Sequence, residues 1–263
     1  MARPKGSTNK KKTSSSKPAF RKPEEPSAIA VYEGEYAALN RKPEEIRAII
    51  TSNVGNEGLT MSDLDRIKVP SGAAPIWMVE TLKGDEMLEQ IEGVIVAHRQ
   101  ARVYWQESYE DAGGGNPPDC ASQNGEFGIG EPGGDCEKCP LNKWGSSEKS
   151  ERGKACKEIR MVFMLRPTSL IPILFTFPPT SIVPIRKYFL QLAGEGLPAY
   201  GVTTILRLGG AQNKDGIKYS KVKPTLGRVL NDSELERVQA YVAAIGPAIN
   251  ASRVEIEQEE LES

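Results

Sequence analysis

The sequence predicts a mixed α+β fold, mainly β: a small barrel or a curved antiparallel sheet with a cysteine-rich subdomain inserted in it. Three observations predict it. Short apolar runs of strand period recur from residue 75 onward, and helical periodicity is confined to a few brief stretches. All four cysteines fall in one glycine-rich segment, 107–157. With 263 residues, 38% hydrophobic and 26% charged, the chain is long enough for one large domain or two small ones with a true core.

Residues 1–27 combine Lys, Ser, Pro and Thr with few apolar side chains, so they read as a disordered basic arm. Its opening Arg3-Pro4-Lys5-Gly6 resembles a minor-groove hook, though the plainer reading is a nonspecific phosphate-contacting or solubilising arm. Residues 28–70 read as a short helical segment. Pro43 starts a helix over 43–50 with Glu44 and Glu45 at its positive end, and Ser62 caps a second over 61–67. Residues 71–230 form the sheet domain, with strands expected at 75–82, 88–98 and 99–106 before the insertion at 107–157. After it, Ile159, Met161, Phe163 and Leu165 alternate with polar or opposite-face residues along 158–166, a period of two. A further strand at about 170–177 ends at Pro178-Pro179, and Ser181 caps a helix of about 182–193. Strands at 201–209 and 216–223 are joined by the turn formers Asn213, Asp215 and Gly216. Residues 231–263 give a last helix, from a capping box at Ser233 to about Ala244, and an acidic tail.

Charge is unevenly spread. The net charge is −1, residues 1–22 carry +8 and residues 251–263 carry −4, which leaves the body at −5. Charge alone therefore gives no case for a nucleic-acid partner of the body. No apolar run approaches the ~20 residues of a membrane-spanning helix, and the basic start is not followed by the apolar stretch of a secretory signal, so a cytoplasmic protein is expected. His98 is the single histidine, which excludes histidine-rich metal centres and two-histidine mechanisms.

The cysteine spacing is Cys120-x15-Cys136-x2-Cys139-x16-Cys156. A Cys-x-x-Cys turn aims two thiolates at one ion, and two distant cysteines complete a tetrahedron at Zn–S of about 2.3 Å. Four protein ligands leave no open position, so the expected group is one structural Zn2+ that organises the glycine-rich loop. Core thiols, a redox pair and an iron–sulfur cluster are the alternatives; cluster ligand runs are often tighter than these gaps. Lys138, Lys143, Lys154 and Lys157 could offset the charge of four thiolates.

No catalytic set emerges. Gly128-x-Gly130-x-x-Gly133 fits a dinucleotide-binding string, but Pro132 lies inside it and no strand–helix context surrounds it. Pro118-Asp119 could open a nuclease motif, yet no acid between 119 and 160 has a lysine two positions on. His98 reads as structural. The chain is expected not to be an enzyme.

Aromatic and basic residues interleave instead. Arg102, Tyr104 and Trp105, Lys143 and Trp144, Arg160 and Arg166, Arg207, and Tyr219, Lys221 and Lys223 are the candidate nucleic-acid-binding residues. Single-stranded nucleic acid needs cations along its phosphates and rings under its bases, at about 1–3 kcal/mol per stacked base. The competing reading packs Tyr104 and Trp105 in the core and leaves the charges as a solvated face.

Two resemblances add to this. Gly93-Val94-Ile95-Val96, Arg102-Val103-Tyr104-Trp105, Pro117-Pro118-Asp119-Cys120, Cys136-Glu137-Lys138-Cys139-Pro140-Leu141-Asn142, Trp144-Gly145-Ser146, Gly153-Lys154-Ala155-Cys156-Lys157 and Pro178-Pro179-Thr180-Ser181 together resemble a family of uncharacterised bacteriophage and mobile-element proteins, over roughly 60–230. The layout of basic arm, cysteine insertion and acidic tail also resembles phage single-stranded DNA-binding proteins that carry a zinc ribbon inside an OB-fold. The best-known site of that kind uses three cysteines and a histidine; this chain offers four cysteines. The layout implies an OB-like domain that coats exposed DNA strands in replication or recombination, in the bacterial host cytoplasm, while the acidic tail recruits a protein or competes with DNA. The alternative is a zinc-module adaptor for a host replication or transcription protein.

Overall fold

The computed structural model describes Met1 and residues 36–251 except 57–58, 60–62, 71, 108–116, 149–151, 214–215 and 217, with only the backbone given for 248–251. The basic arm, Ser62, Asp215 and the acidic tail lie outside the described residues.

Helix α1 (Pro43–Val54) has Pro43 in its first turn, where its missing N–H is no loss, and Glu44 and Glu45 beside it. Its only buried residue is Ile46. Strand β1 (Arg66–Lys68) takes the end of the expected second helix. Strands β2 (Trp77–Val79) and β3 (Glu86–Leu88) pair as a separate two-stranded sheet. The expected strands 88–98 and 99–106 are one, β4 (Gln90–Tyr104). The insertion supplies three short strands, β5 (Cys120–Ser122), β6 (Phe127–Gly130) and β7 (Gly134–Asp135), and a 3-10 turn at Pro140–Asn142. Strands β8 (Lys157–Leu165) and β9 (Ile173–Phe177) follow, then α2 (Pro179–Gly194), β10 (Val202–Gln212), β11 (Lys218–Val229) and α3 (Asp232–Ala251).

Among the described residues, nine strands form one sheet in the order β1-β9-β8-β4-β5-β6-β7, with β10 on β4 and β11 on β10. All pairings are antiparallel except β1 with β9. Strand β4 is the branch point. Val94 to Val103 pair with β8 along one edge, and the other edge is shared by β10 at 90–94 and β5 at 102–104. The sheet does not close: β1, β7 and β11 are ends that never meet. This corrects the barrel expectation. The reason is visible in β9, where all five residues, Ile-Leu-Phe-Thr-Phe, are buried. A strand apolar on both faces needs cover on both, whereas a small barrel leaves its outer face to solvent.

The cover is two-sided. One face carries Val94, Val96, Ala101, Val103, Ile159, Met161, Phe163 and Leu165 under Tyr36, Leu39, Ile46, Val238 and Tyr241 from α1, α3 and the chain before α1. The other carries Ile91, Ile95, Val162, Met164, Phe175 and Phe177 under Ile185 of α2 and Trp77 and Val79 of β2. Trp77 is fully buried, edge-on to Phe175 at 5.4 Å, and its Nε1 donates to the Leu206 carbonyl at 3.0 Å. Among the described residues, no helix is long and apolar enough to cross a membrane.

Two caps differ from expectation. Helix α2 starts at Pro179, so Ser181 lies inside its first turn, buried, with its Oγ accepting from the Val222 N–H at 3.1 Å. At α3 the capping box is one of Asn231 and Glu234. Glu234 N–H donates to Asn231 Oδ1 and Asn231 N–H to Glu234 Oε2, each at 2.9 Å. The helix also runs through Gly246-Pro247 to Ala251.

Arg228 grips the same Glu234 carboxylate with both terminal nitrogens, at 2.8 and 2.6 Å. These bonds hold the Glu234 carboxyl at about 2, well below its usual 4.5. A depressed acid stabilises the fold fully above its unfolded pKa and loses that contribution as pH falls through its folded one. Glu234→Gln is therefore expected to lower stability at pH 7 by roughly 1–3 kcal/mol. The gap from wild type should shrink between pH 4.5 and 2, as thermal unfolding at the two ends would show. A gap that is unchanged at pH 2 contradicts this account.

Candidate metal centre and basic surfaces

The cysteine lobe leaves the sheet after β4 and returns into β8. Asp119 closes its entrance: its Oδ2 accepts from the Gln106 N–H at 2.7 Å, and its carbonyl accepts from the Glu131 N–H at 2.8 Å. Asn124 Oδ1 accepts from the Glu126 and Phe127 N–H groups and turns the chain into β6. The glycine string 128–133 is the β6–β7 turn wrapped round the cysteines. A side-chain carbon on Gly128 would stand 2.9 Å from Cys120 Sγ, and one on Gly130, at φ +108°, would stand 2.0 Å from the Asp119 carbonyl oxygen. These glycines serve close approach.

All four cysteines are free thiols. They line one cavity of about 10 Å3, together with Arg102, Tyr104, Ser122, Gly128 and Asn142. That is room for about one small sphere. Among the described residues, no three His, Cys, Asp or Glu side chains already form a cage that could hold a metal ion. The thiols are gathered without being closed on a centre. Burial pushes the Cys156 thiol up to about 12; Arg102 opposes this, and Cys136, Cys120 and Cys139 add to it. Burial also raises Cys120, a backbone hydrogen bond from Gly133 lowers it, and Cys136 and Cys139 raise it. Each of these two thiols thus feels the other three or two of them, as groups round one point do.

Asn142 ties the lobe to the sheet. Its Nδ2 donates to the Cys136 carbonyl at 2.7 Å, and its Oδ1 accepts from Arg102 Nη1 at 2.7 Å and Lys154 Nζ at 3.1 Å. Arg102 further donates through Nε to the Gly125 carbonyl at 3.2 Å and lies 3.6 Å from Glu158. Sequence reading singled out Arg102 as a nucleic-acid contact; the structure places it, 12% exposed, beneath the cysteines. It did not single out Asn142, and an asparagine following Cys-Pro-Leu carries no signal of this role by itself.

The other candidates divide. Tyr104 lines the cysteine cavity, and Trp105 packs at the margin of the first core face. Lys143 is exposed. Trp144 is 78% exposed, with Lys154 Nζ 5.1 Å over its ring. Of the charge-offsetting lysines, Lys138 pairs with Asp135 at 2.8 Å and Lys157 donates to the Lys154 carbonyl at 2.9 Å. Arg166 is half-buried, with an Nε that finds no hydrogen-bond acceptor. Arg160 is half-buried on β8, opposite Gln100.

Arg207, Tyr219, Lys221 and Lys223 come together. The β10–β11 register sets Arg207 against Lys223, Gly209 against Lys221 and Ala211 against Tyr219, so all four lie on one face of the ribbon. Gly209 leaves room that Lys223 crosses; a side-chain carbon there would meet Lys223 Cε at 2.2 Å. Arg207 is held by Thr225 Oγ1 at 3.3 Å and by Gln90 Oε1. Only Thr203 to Arg207 of β10 pair with β4, so the outer part of the ribbon extends past the sheet. Sequence reading missed Phe127 and Ile129, which stand 62% and 60% exposed on one face of β6.

No family model, no curated protein and no solved structure matches this chain.

Proposed function

We propose that the protein binds single-stranded DNA without sequence preference and without catalysis, in phage or mobile-element replication or recombination, and that one structural Zn2+ held by Cys120, Cys136, Cys139 and Cys156 orders its cysteine lobe. The observation that carries the DNA reading is the ribbon face of Arg207, Tyr219, Lys221 and Lys223. Cations two residues apart suit successive phosphates, and a half-buried tyrosine among them suits a stacked base. A body of net charge −5 does not preclude this, because the cations are concentrated on one side of two strands.

The zinc reading is supported by the donor set and the space. Four thiols, none in a disulfide, line one small cavity, and a set of four cysteines with a Cys-x-x-Cys turn is a donor set that suits one zinc ion. A bound zinc supplies positive charge that keeps the thiolates deprotonated and the lobe closed.

The test is fluorescence anisotropy with an oligo-dT strand. Binding should be micromolar or tighter in low salt and weaken steeply as salt rises. Lys221→Gln with Lys223→Gln should lower the log–log salt slope by about 1.4, at ~0.7 per phosphate contact. Tyr219→Ala should weaken binding by about 5- to 150-fold, the equivalent of one stack, with zinc content unchanged. Affinity no better than millimolar in low salt overturns the reading. A second reading, a zinc-module adaptor for a protein, is favoured by exposed Phe127 and Ile129. It gains if deleting residues 1–27 abolishes all DNA binding.

A further inference from the structure

We propose that Arg160, Arg186 and His98 form a phosphate-binding site that holds one phosphodiester group of a nucleic-acid strand. The choice of a strand as the source of that phosphate rests on the DNA reading above; the site itself rests on placement.

The β4–β8 register sets His98 opposite Val162 and Gln100 opposite Arg160. His98 and Arg160 are therefore diagonal neighbours on the sheet face that α2 covers. The His98 ring is stacked on Phe189 of α2, with centroids 4.3 Å apart and planes 18° apart. Arg186 lies three residues before Phe189, one helical turn away on the same side of α2. The exposed Arg186 of α2 is thus placed beside the half-buried Arg160 and the Phe189-stacked His98 of the sheet face, near enough for its charge to act on Arg160.

Among the described residues, no carboxylate is within ion-pair distance of Arg160 or Arg186, and Glu158, the acid that acts on Arg160, is already 3.6 Å from Arg102. Burial acts most strongly against the Arg160 cation; Glu158 favours it, and the charge of Arg186 opposes it by less than Glu158 favours it. His98 is lowered by burial and then by Arg160. Like charges held together around a half-buried arginine are relieved by an anion. Guanidinium pairs suit phosphate oxygens bidentately, and the imidazole, fixed in orientation by Phe189, offers one further N–H donor. The side chain of Gln100 continues this floor to the lobe, lying 3.4 Å from where a side-chain carbon on Gly125 would stand. Sequence reading had set His98 aside as structural and had not singled out Arg186.

Because His98 is the only histidine, its imidazole C–H signals in a proton NMR spectrum assign themselves. Adding oligo-dT to the full-length protein should move those signals. In the Arg160→Gln, Arg186→Gln double variant the affinity should fall about tenfold and the His98 signals should stay still at saturating strand. The Lys221→Gln, Lys223→Gln variant, once saturated, should keep the shift. Strand binding that leaves wild-type His98 unmoved overturns the site while sparing the DNA reading. If no strand binds, the DNA reading falls, and titration with inorganic phosphate then decides. A His98 shift that the double variant lacks upholds a phosphate site fed by free phosphate, and no shift overturns it.

Discussion

Cys136→Ser is expected to leave the purified protein without zinc and to open the segment 117–156 to proteases, while wild type is expected to carry one equivalent of a colourless metal. A structural zinc on sulfur contributes about 10–16 kcal/mol in small peptides, more than the net stability of a typical domain. Serine keeps the shape of the side chain but presents a hard, protonated oxygen that competes poorly with thiolate for zinc. The lobe has little else to hold it: its strands are two to four residues long, and among the described residues its buried apolar side chains are those of Cys136 and Cys156. The sheet core of β4, β8 and β9 has no cysteine in it, so far-ultraviolet circular dichroism should keep most of its β signal. Metal analysis and limited proteolysis read the two effects separately. Full zinc content in the variant, or a brown wild type containing iron, contradicts the assignment.

Trp77→Ala is expected to destabilise the protein by about 3–5 kcal/mol, the range for deleting a fully buried large aromatic. Trp77 is 0% exposed, seated edge-on against Phe175, and with Val79 it packs the β2–β3 sheet into the second core face. The substitution also leaves the Leu206 carbonyl without the indole N–H. At ~2–4 °C per kcal/mol for a chain of this size, the melting temperature should drop by about 6–20 °C. Met78→Ala, next along the same strand but exposed, should change it by no more than about 2 °C. Equal effects of the two substitutions would show that Trp77 does not carry the packing described.

Much of the sheet was legible before the structure. The period of two in 158–166 became β8 at 157–165, and the apolar faces of 201–209 and 216–223 became the β10–β11 ribbon, with Arg207 opposite Leu206 and Leu208 as expected. What misled was closure. Ile173 to Phe177 is apolar at four of five positions, which marks a strand covered on both faces, and that pattern argues for layers rather than a barrel. The caps misled for a different reason. Ser181 and Ser233 are good capping types, but Pro179 fits the first turn with no donor to lose, and Asn231 reaches the free N–H groups from two residues before Ser233. At the site, the spacing pointed to four cysteines round one centre. It could not show that Asn142 and Arg102 fasten that centre to the sheet, because those contacts join residues 40 apart in the chain.

The β4–β8 pairing has a consequence for how fast the molecule assembles. Val103 faces Lys157, so residues 104–156 must be drawn together before β4 and β8, two central strands of the core, can zip. Joining the ends of a floppy segment of that length is entropically slow, whereas a lobe already clenched on an ion behaves like a turn of a few residues. Shortening the effective loop tenfold saves about 2 kcal/mol of closure entropy. With the proposed ion bound, the cysteine lobe would act as a clasp for the backbone, and its loading would set the pace of folding.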